Sequence, residues 1–169
     1  MGEVFKVGDQ IYLRCLGATP NQNQVFLNGN TSNGAVTLVK TTDHPFSGAL
    51  WEVVWFDGNE IGFVCKGNSE NPDHVFLDGR TIDGSVGLAS SPFTATHWKA
   101  IRHRNILGIP DGTYSFKCLG LISNPDHVFL DGRTIDGSVG LASNTNPPLC
   151  GTHWEATVVV PAPAVRPPA

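Results

Sequence analysis

Residues Asn71–Ser90 read NPDHVFLDGRTIDGSVGLAS, and Asn124–Ser143 repeat that stretch at every one of its twenty positions. A repeat protein reuses apolar residues because each unit fills the same layer of a common core. Here the polar residues recur as well. Asp, His, Arg and Thr reappear at fixed places around the same two Gly-containing dipeptides. Two explanations stand: a recent duplication in which nothing has drifted, or two copies that present one surface to one ligand.

Working outward, alignment on cysteine exposes a third, more divergent copy. Cys15 to Val25, Cys65 to Val75 and Cys118 to Val128 are the same distance apart. So are Leu27 to Leu38, Leu77 to Leu88 and Leu130 to Leu141. Each copy then closes on a tryptophan: Trp51, Trp98 or Trp154. The interval before Trp98 is shorter than before Trp51 or Trp154, and the missing residues fall among Pro, Ser and Thr, where a loop absorbs them.

Each repeat reads as four short strands. Ile11, Leu13 and Cys15 alternate with polar or small residues, as do Ile61, Phe63 and Cys65, and Tyr114, Phe116 and Cys118. A period of two marks a half-buried strand, because successive side chains point to opposite faces. VFL makes a second strand, VTLV or SVGLA a third, and the segment around the tryptophan a fourth. Asn-Gly and Asp-Gly between strands two and three are tight-turn dipeptides, since Gly takes positive φ without steric cost. No segment sustains a helical period. The expectation is an all-β domain over residues 1–159, with repeats at about 11–56, 61–102 and 113–159 and a Pro/Ala-rich tail at 160–169.

Bulk properties agree with this. The chain has 169 residues, 40% of them hydrophobic and 15% charged, which is enough to build a core. Its 19 Gly and 12 Pro fit many turns. A net charge of −4 argues against nucleic acid or anionic membrane as the main partner. No apolar run is long enough for a membrane span or a secretory signal, so cytoplasmic residence is expected, with a secreted mature form as the alternative. Of the four cysteines, Cys15, Cys65 and Cys118 hold equivalent places around a threefold repeat and have no obvious pairing with one another. They read as small buried apolar residues rather than as two disulfides with Cys150.

Three repeats of four strands, each with a late tryptophan, resemble the β-trefoil superfamily and are similar to the ricin-B-like lectins. The resemblance covers Ile11 to about Val159. It implies a six-stranded barrel capped by three hairpins. It also implies a sugar-binding acid just after the second strand, which falls on Asp78 and Asp131, with Asn28 in repeat one. A carboxylate suits vicinal hydroxyls because it offers two acceptor oxygens. This chain departs from the family at two points. The aromatic platform of the third strand is replaced by Ala89 and Ala142. The QxW ending becomes Thr96-His97-Trp98 and Thr152-His153-Trp154, with Leu50 in the His place of repeat one. The family's usual galactose contacts therefore do not carry over.

The remaining candidates lie in the repeated stretch: Asp78, Arg80, Thr81 and Asp83, and their copies Asp131, Arg133, Thr134 and Asp136. The bland alternative is turn chemistry, with Arg80 pairing Asp83 across the loop. His74 and His127 enter strand two, while His97 and His153 precede a core tryptophan and read equally as strand residues facing away from the core. Repeat one keeps the apolar frame but replaces these groups with Gln24, Asn28, Asn30 and Asn33. The fold therefore does not require the charges, which favours a ligand role for them in repeats two and three.

No GxSxG, P-loop or HExxH pattern is present, so neither an enzyme nor a cofactor is expected. The leading expectation is a multivalent carbohydrate-binding protein whose partners are glycans or glycoproteins, with two matching sites and one degenerate one. The alternatives are a protease inhibitor acting through the Pro-containing loops at Thr41–Gly48 or Asn144–Gly151, and a protein-interaction scaffold. KAIRHRN, Lys99–Asn105, reads as a solvated basic connector between repeats two and three.

Overall fold

The computed structural model describes residues 5–16, 25–42, 47–66, 74–81, 83–92, 96–104, 107, 110–120, 128–133, 136–143 and 150–162. Among them are twelve strands and no α-helix. Repeat one supplies β1 (Gln10–Cys15), β2 (Phe26–Gly29), β3 (Val36–Val39) and β4 (Trp51–Asp57). Repeat two supplies β5 (Glu60–Cys65), β6 (Phe76–Arg80), β7 (Ser85–Ala89) and β8 (Trp98–Arg104). Repeat three supplies β9 (Pro110–Cys118), β10 (Phe129–Arg133), β11 (Ser138–Ala142) and β12 (Trp154–Val160).

Six of these strands close on themselves. β1 pairs β12, β12 pairs β9, β9 pairs β8, β8 pairs β5, β5 pairs β4, and β4 returns to β1, all antiparallel. A closed ring leaves no unpaired strand edge. The other six form three hairpins, β2–β3, β6–β7 and β10–β11. The registers repeat: Ile11 faces Trp51, Ile61 faces Trp98, and Tyr114 faces Trp154.

KAIRHRN is mostly strand rather than connector. Lys99 to Arg104 lie in β8, paired with β9 from Trp98↔Cys118 onward, with a register shift between Arg102 and Arg104. Charge misled the reading there, because Arg and Lys sit comfortably on the rim and outer face of a barrel strand.

The ring is filled from the inside. Trp51, Trp98 and Trp154 are completely buried. Removing each indole from water stabilises the fold by on the order of 4–6 kcal/mol before ordering entropy is counted. Every indole also satisfies its own N–H. Nε1 of Trp51, Trp98 and Trp154 donates to the carbonyls of Leu27, Leu77 and Leu130, each at 3.0 Å. Each tryptophan is thus tied to the hairpin of its own repeat.

The cysteines tie that hairpin to the next repeat. Cys65 Sγ donates to Gly29 O at 3.5 Å, Cys118 Sγ to Gly79 O at 3.4 Å, and Cys15 Sγ to Gly132 O at 3.4 Å. All three thiols are buried and none is in a disulfide, as small core residues should be. Burial pushes the Cys118 thiol up to about 11. A Cβ built on Gly79 would lie 2.9 Å from both Cys118 Sγ and the Trp98 ring. Gly29 and Gly132 are confined in the same way by Cys65 and Trp51, and by Cys15 and Trp154. Glycine holds these places because two large neighbours already fill the space.

Two outcomes are expected. Gly79→Ala forces the Trp98 ring or the thiol aside and should cost about 1–3 kcal/mol, read by urea unfolding. Cys15, Cys65 and Cys118 should resist labelling by a disulfide reagent at pH 8 in the native protein and react once it is unfolded, as mapped by peptide mass spectrometry.

Candidate functional site

The turns of the three hairpins are built alike. Gly34, Gly84 and Gly137 each take φ +78°. Their amides donate to Asn30 O, Arg80 O and Arg133 O, each at 2.7 Å. Just before each glycine, a short polar side chain caps the turn. Asp83 Oδ1 accepts from Ser85 N at 2.9 Å and from Ser85 Oγ at 2.7 Å. Asp136 Oδ1 accepts from Ser138 at the same two distances. Asn33 Oδ1 accepts from Ala35 N at 2.9 Å. The Ser138 hydrogen bonds hold the Asp136 carboxyl below the usual carboxylate value.

These turns converge. Leu88 N donates to Gly34 O at 2.9 Å, Leu141 N to Gly84 O at 2.8 Å, and Leu38 N to Gly137 O at 2.8 Å. The turn of each hairpin is therefore bonded to the third strand of the next, and the three form a cyclic cap. Ser138 pairs with Thr37, Gly140 with Ser85, and Ala35 with Gly87.

Asp78, Asp131 and Asn28 occupy a different level, on the strand before the turn. Asp78 is 6% exposed and its Oδ1 has no hydrogen-bond partner among the described residues; Asn28 Oδ1 is in the same state. Asp131 is half-buried. Burial pushes both carboxyls up, and the guanidinium of the arginine two residues on, Arg80 or Arg133, opposes that rise. Short 3-10 turns at Ser47–Ala49 and Cys150–Thr152 pack close to this level. A Cβ on Gly48 would come within 2.9 Å of Asn28 Oδ1, and one on Gly151 within 2.6 Å of Asp131 Oδ1. The same Cβ atoms would collide first with the Gly29 and Gly132 carbonyls, so these two glycines make room for the hairpin backbone as well as for the acceptor oxygen, a role the sequence reading missed. The signal is a glycine three residues before the tryptophan in repeats one and three.

The histidines reach elsewhere. His74 Nδ1 lies 2.9 Å from Thr31 O, and its ring would be 2.7 Å from a Cβ on Gly34, so it packs on the hairpin turn of repeat one. Thr81 is buried, with its hydroxyl 3.1 Å from a Cβ placed on Gly120 of repeat three. His97 stacks on Phe56 at 4.2 Å and places Nδ1 3.7 Å from Glu60. His153 stacks on His103 at 4.2 Å. His103 Nε2 sits 2.7 Å from Ser115 Oγ, which donates to Thr152 O at 2.9 Å. That hydroxyl, having given its proton away, accepts from His103.

Thus Asp78 with Arg80, and Asp131 with Arg133, form recurring acid–guanidinium neighbours, both arginines being exposed. Asp83, Asp136 and Asn33 are engaged in their turns, His74 and Thr81 bridge repeats, and His97 and His153 face aromatic rings beside the barrel. Thr134, His127 and the central residues of the Thr41–Gly48 and Asn144–Gly151 loops lie outside the described residues. No group of three or more His, Cys, Asp or Glu that could hold a metal ion occurs among the described residues. No helix among them is long and apolar enough to cross a membrane.

The sign of the pH effect follows from the direction of each shift. The folded protein holds the Asp78 and Asp131 protons to higher pH than the unfolded chain does. Stability from these two groups is therefore greatest below the ordinary carboxylate value and is lost as pH rises through their raised values. Asp136 acts oppositely: its contribution is present at neutral pH and is lost as pH falls through its lowered value. Asp78→Asn/Asp131→Asn installs the amide that repeat one already carries. It should stabilise the protein at pH 7 by about 1–2 kcal/mol and bring no gain at pH 3, as measured by urea unfolding at both values.

No family model matches this chain, and no curated protein is similar to it.

Proposed function

We propose that this chain is a β-trefoil lectin, a non-enzymatic carbohydrate-binding protein with sugar sites at the acid-bearing hairpins of repeats two and three. The closed six-stranded ring and the three tip-bonded hairpins support the trefoil reading, since they are the parts that fold requires. The observation that carries the functional reading is the acceptor oxygen of Asp78, buried and without a partner among the described residues, beside an exposed Arg80.

A buried acceptor left unpaired costs about 1–3 kcal/mol, and a hydroxyl donor offsets that cost. Sugars supply paired hydroxyl donors. The neighbouring guanidinium donates to ring and hydroxyl oxygens and keeps the carboxylate ionised when the site is filled. Repeat three presents Asp131 and Arg133 in the same register, while repeat one offers the neutral Asn28 and Asn30. Two sites built from the same residues on one frame raise avidity for branched glycans without any new contact. The turn acids Asp83 and Asp136 support the site indirectly by holding the loop shape. Glycans or glycoproteins are the partners this reading implies.

A glycan array with the wild type and the Asp78→Ala/Asp131→Ala double variant tests it. The expected result is selective binding by the wild type and loss of at least about tenfold in the double variant, with an unchanged circular dichroism spectrum. Equal binding by both proteins removes these residues from the site, and no binding to any glycan removes the lectin reading.

A further inference from the structure

The end of the barrel away from the hairpin cap holds a second feature, built from groups that the hairpin reading does not use. Trp51 and Val53 of β4 point into the barrel, and the next residue on that face is Trp55. Trp55 is 59% exposed, whereas the other three tryptophans are completely buried. Its Nε1 donates to Gly58 O at 3.0 Å, so the indole edge is satisfied by its own turn and the ring is held in one pose. On β8 the equivalent position, four residues after Trp98, is Arg102; on β12 it is Val158. The pseudo-threefold mouth of the barrel thus carries an indole, a guanidinium and an aliphatic side chain at matching places.

A cavity of ≈ 340 Å³ opens here. Phe5, Val53, Ile61 and Tyr114 form its apolar floor, and Trp55, Lys6, Lys99 and Arg102 also line it. Phe5 is fixed by Tyr114, with ring centroids 4.6 Å apart and Phe5 N donating to the phenol oxygen at 3.3 Å. None of the three cationic side chains has an ion-pair or hydrogen-bond partner among the described residues. The acids nearby are Asp9, Asp57 at the end of β4, and Glu60, which lies opposite Lys99 in the strand register. Asp9 accepts from Lys6 N at 2.8 Å and from Ala162 N at 2.7 Å, and Glu60 faces His97. The mouth thus brings three cationic residues to its lining on a chain whose net charge is −4.

We propose that this mouth is a second binding site, for an acidic oligosaccharide bearing carboxylates at intervals along the chain. A rigid, exposed indole offers a flat apolar face to the C–H face of a pyranose. The cations that line the cavity come from the N-terminal segment and from two positions of β8 rather than from one loop. Charges from separate elements suit a ligand that carries its carboxylates on successive rings. A compact phosphate group is better served by clustered backbone amides at a glycine-rich loop. Arg102 is the one cation able to grip a carboxylate through two parallel hydrogen bonds. The site shares no residue with the hairpins and stands whether or not those bind sugar.

Tetragalacturonate, cellotetraose of equal length and ATP are titrated calorimetrically into the intact chain. Fluorescence is followed in parallel, because Trp55 is the one tryptophan a ligand can reach. Saturable binding of tetragalacturonate with a change in emission, weakening as salt is raised, is the expected result. Trp55→Ala and Arg102→Gln, both at exposed positions and checked for an unchanged melting temperature, should each weaken it at least about tenfold. Undiminished binding by either variant, equal binding of cellotetraose or ATP, or no binding of tetragalacturonate would overturn the proposal.

Discussion

The contact between one repeat's tryptophan, the glycine of its hairpin and the next repeat's cysteine is what the rest of the molecule depends on. At each of three junctions an indole fills the core, its N–H satisfies a carbonyl of its own hairpin, and a thiol from the following repeat closes against the hairpin glycine. No junction is internal to one repeat. A single four-stranded unit would expose its tryptophan and leave strand edges unpaired, so the repeats stabilise one another or not at all. Three identical junctions, with their registers, are what close the ring.

The cap follows from the same rule. The turn glycines each pass a carbonyl to a strand of a neighbouring hairpin, and Asp83, Asp136 and Asn33 hold the turns in the shape that allows it. This accounts for part of the polar identity between repeats two and three without any ligand. Asn33 performs the same turn duty as Asp83, so the capping job needs an acceptor oxygen and not a charge. Asp78 and Asp131 are not explained in this way. They lie on the strand before the turn, and the side-chain oxygen of Asn28, the neutral counterpart, shares with that of Asp78 the lack of a partner among the described residues. Repeats one and two thus keep a buried acceptor oxygen without a partner among the described residues, a cost that packing alone does not explain.

The two ends of the barrel differ because symmetry is kept at one and broken at the other. At the cap, twenty identical residues in two repeats leave little room to diverge. At the mouth, equivalent positions hold Trp55, Arg102 and Val158. Packing does not constrain the rim as it does the layer of Trp51, Trp98 and Trp154, so individual chemistry accumulates there. The stacked pairs beside the barrel show the same drift, with Phe56 on His97 in one place and His103 on His153 in the other.

Much of the architecture was legible in the linear chain. Alternation from Ile11 to Cys15, the Asn-Gly and Asp-Gly turns and the constant spacing between Cys, Leu and Trp depend only on the period of a strand and the freedom of glycine. Such local signals survive whatever surrounds them. The site was legible only as a set of residue types. The sequence places His74 beside Asp78 and Thr81 beside Arg80, yet His74 packs on repeat one and Thr81 against repeat three. KAIRHRN looked like a linker because its charges are local, while its strand partner, β9, comes later in the chain. Which oxygens are buried, which cations gather at the mouth and why Trp55 alone faces water were decided by closure of the ring. Closure sets side chains from all three repeats against one another across distances that no periodicity encodes.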